Sequence, residues 1–218
     1  MQILYGGTFD PVHEGHLAIA RAAAAALGHP VSLLPAADPP HRSRPGASAQ
    51  QRATMLELAI GDDPRLRLDR RELHRQGPSF TVDTLQEVRA QQPTDCIIWL
   101  MGIDSLAQLD SWHQWRRIFD LAHVLGAERP QTRIDESWLR QNAPTVFAEV
   151  APRWRQIDQL VACASGYYAA FPVRPLRDES ASRVREAIAA GLPWAEMVPA
   201  AVARYINQHG LYRLASAS

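Results

Sequence analysis

The chain has no lysine. Its 23 basic residues are all arginine, set against 23 acidic residues over 218 positions. This excludes a phosphate loop built on lysine, a Schiff-base lysine and a lysine adenylate. Phosphate charge must then be met by arginine, histidine, backbone N–H groups or a metal ion. The formal net charge is zero. There is no basic field to draw nucleic acid or an anionic membrane, and neither is expected as a partner. No apolar run approaches the roughly 20 residues needed to cross a bilayer. The N-terminus lacks the charged start and apolar core of a signal peptide, so a cytoplasmic location is expected. Cysteine is scarce. Cys96 and Cys163 stand far apart in apolar settings without zinc-ligand spacing, and read as small core residues. The dinucleotide fingerprint Gly-x-Gly-x-x-Gly is absent as well.

What is present is a regular alternation. Ile3-Leu4-Tyr5, Val31 to Leu34 (ended by Pro35), Leu66 to Asp69, Cys96 to Met101 and a weaker Val124-Leu125 read as strands. Between them lie helical patterns at Leu17–Leu27, from Ser48 to about Ile60, and at Thr81–Gln91. Ser48 and Gln51 have the spacing of a capping box. Such an order predicts an α/β fold with a doubly wound, mostly parallel sheet. Residues 130–160 interrupt the rhythm, with Trp138, Phe147 and Trp154 among polar residues. An irregular or helical excursion is expected there. Tyr167–Phe171 and Val173 suggest late strands. Two closing helices follow, Ser182–Ala190 before Gly191 and Pro199–Gln208 before Gly210. The length suits one domain: a core over 1–178 and a small C-terminal helical part over 179–218.

The chemistry gathers at Gly6-Gly7-Thr8-Phe9-Asp10-Pro11-Val12-His13-Glu14-Gly15-His16, between the first strand and the first helix. Glycines let a backbone come close to a ligand. A helix start offers free N–H groups and the positive end of the helix dipole to an anion. Each of His13 and His16 can donate to a phosphoryl oxygen. The plainer alternative is a pair of capping or surface histidines. The i, i+3 spacing does not suit a zinc pair on a helix, which uses i, i+4.

The same run closely resembles the nucleotidylyltransferase signature, whose core is His-x-Gly-His. Further matches follow in order: Pro39-Pro40-His41-Arg42, Pro78-Ser79-Phe80-Thr81, Gly102-Ile103-Asp104-Ser105-Leu106, Trp112 and the tail Tyr205 to Tyr212. Together they resemble the bacterial nicotinate-nucleotide adenylyltransferases over residues 2–213, most weakly over 130–165. The resemblance implies a Rossmann-like fold and transfer of the adenylyl group of ATP to nicotinate mononucleotide. The products are nicotinate adenine dinucleotide and pyrophosphate, a step of NAD biosynthesis. Mg²⁺ would accompany ATP, with no protein side chains predicted to hold it. Gly6, Gly7, Thr8 and Phe9 would line the ATP path, with His13 and His16 on phosphate oxygens.

The family's second phosphate pattern resembles Ile-Ser-Ser-Thr-x-x-Arg. Here Glu179-Ser180-Ala181-Ser182-Arg183-Val184-Arg185 stands in its place, with Ser180, Ser182 and Arg185 at the matching positions. Glu179 and the neighbouring Asp178 are unwelcome beside a triphosphate unless they face away or bind metal. N–H groups near Ser79, Phe80 and Thr81 would receive the nicotinate carboxylate, Trp112 would stack on the pyridine, and Asp104 would touch ribose. His41 and Arg42 are candidates for phosphate, and Arg129 for adenine or phosphate. Where the family often has a polar residue after the proline of the second strand, Ala36-Ala37 follow Pro35. Rival readings are a pantetheine-phosphate adenylyltransferase or cytidylyltransferase with the same first loop, or a non-catalytic nucleotide-binding regulator.

Overall fold

The computed structural model describes residues 1–37, 46–75, 77, 79–128, 135–173 and 179–213. Among these, six strands form one parallel sheet: β1 (Gln2–Gly7), β2 (Val31–Pro35), β3 (Leu66–Leu68), β4 (Ile97–Gly102), β5 (His123–Ala127) and β6 (Tyr168–Phe171). Their order is β3-β2-β1-β4-β5-β6. Each adjoining pair is parallel, with Ile3 opposite Val31 on one side and Ile98 on the other. The order reverses between β1 and β4, so a crevice opens at their carboxyl ends, where open α/β sheets bind ligands.

Alternation along the strands feeds two cores. Ile3, Tyr5, Leu33, Ile98 and Leu100 face one layer, and Leu4, Leu34, Ile97, Trp99 and Met101 face the other. Helices α1 (Glu14–Leu27) and α2 (Ala49–Ile60) cover the first face. So do the C-terminal helices α8 (Ala181–Ala189) and α9 (Ala200–His209), through Val184, Ile188, Val202 and Ile206. The second face is covered by α3 (Thr81–Gln91), α4 (Ile103–Ala107), α5 (Ile118–Leu121), α6 (Glu136–Asn142) and α7 (Pro144–Val150). Both central strands are therefore buried on two sides, which explains why Cys96–Met101 reads as a continuous apolar run.

Local rules place the helix ends. Ser48 accepts the Gln51 N–H at 3.3 Å while the Gln51 side chain accepts the Ser48 N–H at 2.9 Å, closing the expected capping box. Gly28 and Gly210 close α1 and α9 in the left-handed region, at φ 68° and 60°.

Several expectations are corrected. Pro35 is the last residue of β2 rather than its stop. The segment around Val124 is a fully buried strand. Val173 is buried but lies beyond β6, the one strand in that stretch. Residues 135–162 hold α6, α7 and short 3₁₀ turns, with Trp138, Phe147 and Trp154 packed on the second core. The cysteines differ from the expectation: Cys96 is half-buried, packed against the first core, and Cys163 is exposed, because the chain before β6 runs over the surface. No helix among the described residues is long and apolar enough to cross a membrane.

Candidate active site

The signature loop leaves β1 at the sheet's reversal point and enters α1 with His13 as N-cap and His16 in the first turn. The two imidazoles stack, with centroids 3.6 Å apart and 30° between planes. His13 is buried and His16 half-buried. Phe9 meets the His16 ring edge-on at 4.9 Å, and Tyr5 stands behind at 6.1 Å. The His13 backbone N–H points to His16 Nδ1 at 3.4 Å. In a neutral ring this leaves the proton on Nε2. The histidines are thus oriented before substrate arrives.

The glycines of the loop make room within the protein. A Cβ on Gly6 would collide with the buried Trp99 indole, and one on Gly7 would lie 3.0 Å from the Phe9 ring. A Cβ on Gly15 would lie 3.0 Å from His13 Nδ1 and 3.2 Å from the Glu179 carbonyl oxygen. The start of α8 therefore packs directly on the start of α1. Ser180 caps α8, accepting the Arg183 N–H at 3.2 Å. Arg185 donates to the Asp10 carbonyl at 2.6 Å and to the Ser182 hydroxyl at 3.3 Å. The two segments expected to hold phosphates are 175 residues apart in sequence and bound together in space. One oxygen of Glu179, Oε2, is buried within the protein. Asp178 lies outside the described residues.

Sequence reasoning missed what fixes this loop. Phe9 has φ 50°, in the left-handed region. A non-glycine residue there costs about 1–2 kcal/mol. Polar pins flank it. Arg52, fully buried on α2, donates to the Thr8 carbonyl at 2.6 Å. Asp10, 6% exposed, accepts from the Gly46 N–H at 2.8 Å, the Ala47 N–H at 3.1 Å and the Tyr212 hydroxyl at 2.7 Å. Burial, with the Asp10 charge second, holds the Tyr212 hydroxyl well above the usual phenol range, so it stays a donor. A signal for Arg52 does exist. It shares a stripe with Met55, Leu56 and Ala59, the buried face of α2, where a charge needs a partner.

The mid-chain blocks also meet. Phe80 is the N-cap of α3, and Thr81 its first residue. The Phe80 ring lies tilted against His113 at 4.5 Å, the residue that follows the half-buried Trp112. Ser79 accepts from Arg75 at 2.9 Å. Asp104 stands exposed in the first turn of α4, directly after β4. After β2, the Ala36 N–H bonds to the Gly7 carbonyl at 2.9 Å, so Ala36 continues the backbone ladder. His41, Arg42, Pro78 and Arg129 lie outside the described residues. Among the described residues no group of three or more His, Cys, Asp or Glu side chains is placed to hold a metal ion.

Two helix starts, a stacked histidine pair and an arginine at the reversal point of a parallel sheet are the marks of a nucleotidyltransferase. The model of the cytidylyltransferase-like family matches residues 4–187. Over 98% of this chain and 97% of its own length, a Stenotrophomonas maltophilia protein named "Probable nicotinate-nucleotide adenylyltransferase" is 50% identical. A Xylella fastidiosa protein of the same name is 45% identical over 97% of this chain and 96% of that one. The chain belongs to the nicotinate-nucleotide adenylyltransferase family. Its fold matches Plasmodium falciparum nicotinic acid mononucleotide adenylyltransferase complexed with NaAD, at TM-score 0.72, 17% identity and 96% coverage of both chains. The same enzyme complexed with APC matches at TM-score 0.69.

Proposed function

We propose that this chain transfers the adenylyl group of ATP to nicotinate mononucleotide, giving nicotinate adenine dinucleotide and pyrophosphate. The observation that carries the reading is the joining of the α1 and α8 starts through Arg185, Asp10, Gly15 and Glu179. It gives one crevice two sets of anion-receiving N–H groups, with the histidines between β1 and α1. Family membership over nearly the whole chain supports the choice of substrates.

The 5′-phosphate of nicotinate mononucleotide attacks the α-phosphorus of ATP in line, and pyrophosphate leaves with the electron pair of the broken P–O bond. No covalent enzyme intermediate is needed, and catalysis is positioning and charge stabilisation. His16 Nε2–H and His13 hold oxygens of the reacting phosphates. Gly6, Gly7, Thr8 and Phe9 line the ATP path. The N–H groups at the start of α8, with the Ser180 and Ser182 hydroxyls, receive the far phosphates. Arg185 adds charge there while tying α8 to the loop. ATP enters as its Mg²⁺ complex, the ion carried on the triphosphate, and no step is assigned to a protein-held metal. The start of α3 receives the nicotinate carboxylate, Trp112 covers the pyridine and Asp104 holds ribose.

Incubation of the protein with ATP and nicotinate mononucleotide, with products read by mass, tests the reading. The expected products are nicotinate adenine dinucleotide and pyrophosphate in equal amounts. Turnover only with CTP, or only with pantetheine phosphate as acceptor, overturns it. So does nucleotide binding without pyrophosphate release.

A further inference from the structure

One polar network in the second half of the site takes no part in the chemistry above. Glu72 lies in a 3₁₀ turn after β3 and is 5% exposed. The Thr84 hydroxyl, fully buried one turn into α3, donates to Glu72 Oε1 at 2.7 Å. Arg75 Nη1 donates to Ser79 Oγ at 2.9 Å and to Thr84 Oγ1 at 3.0 Å, while its Nη2 donates to Glu87 Oε2 at 3.0 Å. Residues 79 and 84 bracket Phe80, Thr81 and the half-buried start of α3. One guanidinium nitrogen thus grips both sides of that helix start, and one buried carboxyl holds the Thr84 side.

Nothing in this arrangement points to a substrate contact. The Arg75 charge is met by Glu87, with Glu72 close by, and is not available to a phosphate. Stability gives no reason for it either. Burial pushes the Glu72 carboxyl above its ordinary range, so its charge is held at a cost to the fold. A packed apolar side chain would serve a purely structural purpose as well or better. What the network supplies is geometry. Phe80 gives α3 no side-chain cap, so the direction of the first N–H groups depends on where Ser79 and Thr84 are held.

We propose that Glu72 and Arg75, acting through the Ser79 and Thr84 hydroxyls, are positioning residues for acid selectivity. They aim the first N–H groups of α3 and the Phe80 ring at the pyridine carboxylate. This rests on the reading that α3 receives that carboxylate.

The test uses Thr84→Val, Thr84→Ser and Glu72→Gln, all in the full chain. KM is measured separately for nicotinate mononucleotide, its amide and ATP, with Tm beside each. Thr84→Val and Glu72→Gln are expected to raise KM for the acid about tenfold, as the first N–H groups of α3 lose their fixed direction. KM for ATP, kcat and KM for the amide stay within about twofold, so the acid preference shrinks. Thr84→Ser keeps the hydroxyl and retains wild-type selectivity. Unchanged acid KM in both Thr84→Val and Glu72→Gln overturns the proposal. So does a common rise in KM for acid and ATP with a fall in Tm, the pattern of a merely structural role. Loss of selectivity in Thr84→Ser equal to that in Thr84→Val also overturns it. Failure of the underlying reading looks different: the wild-type protein itself would not distinguish acid from amide.

Discussion

Replacing Asp10 by Asn removes a charge but almost no volume, and the structure sets the cost. Oδ1 accepts from the Ala47 N–H and the Tyr212 hydroxyl, and Oδ2 accepts from the Gly46 N–H. An amide has one accepting oxygen. Whichever way it turns, its NH₂ faces a backbone N–H, and one buried donor loses its acceptor. An unsatisfied buried group of this kind costs about 1–3 kcal/mol. Tyr212 can rotate its hydroxyl, so it adds little. Weakening of the 4.0 Å approach of Arg185 adds a fraction more. A total near 2 kcal/mol corresponds to a fall in Tm of about 4–8 °C for a chain of this size. The second effect is on rate. Phe9 at φ 50° holds its place because the residues on both sides are pinned. Released on one side, it turns toward ordinary backbone geometry and carries the His16 ring with it. Misplacement by about 1 Å costs on the order of a hundredfold. Thermal unfolding and pyrophosphate release on the same preparation read both effects. A variant that melts and turns over like wild type would falsify the claim that Asp10 fixes the loop.

Further expectations follow from single contacts. His16→Ala removes a preoriented donor and is expected to lower kcat about a hundredfold, or roughly 3 kcal/mol, with Tm nearly unchanged; a folded variant at near-wild-type kcat rejects the role. Gly15→Ala would ordinarily stabilise a helix by about 0.5–1 kcal/mol. Here the new methyl presses on His13 and on the Glu179 carbonyl, so kcat is expected to fall at least tenfold with no gain in Tm; a more stable and equally active variant contradicts the packing of α8 on α1. His123 is buried and neutral, its Nδ1 accepting the Tyr167 N–H at 3.1 Å and its Nε2 bonding to the Cys163 carbonyl at 3.0 Å. Burial holds its folded pKa below the ordinary 6.5. The unfolded chain therefore takes up the proton first, so this contribution is complete above about pH 6.5 and is lost as pH falls below it. Tm measured from pH 7.5 to 5 is expected to fall, and His123→Gln to flatten that slope; equal slopes reject it.

What the sequence disclosed and what it hid divide by the range of the contacts. The strand–helix rhythm, the Ser48–Gln51 box and the Gly210 stop are local patterns, and each stands where expected. The signature loop was legible as an anion site because strand, glycines and helix start are contiguous. Its supports were not. Asp10 is held by residues 36, 37 and 202 positions away, and Arg52 reaches back 44. Reading Cys163 as core failed for the same reason. Composition around it is apolar, but Ser165 and Gly166 tie that stretch to the ends of α5 and β5 at the surface. From sequence Arg185 is a phosphate ligand alone, because its bond to the Asp10 carbonyl has no trace in spacing.

The central claim is that this crevice joins ATP to a nucleotide carrying a pyridine carboxylate. A helix start favours an anion over a neutral group by about 0.3–1 kcal/mol when exposed and up to about 2 when partly buried. Pyrophosphate release with ATP, comparing nicotinate mononucleotide with its amide at matched concentrations, tests the claim most directly. The account predicts a higher kcat/KM for the acid, by up to about thirtyfold. Equal values, or a preference for the amide, would contradict it.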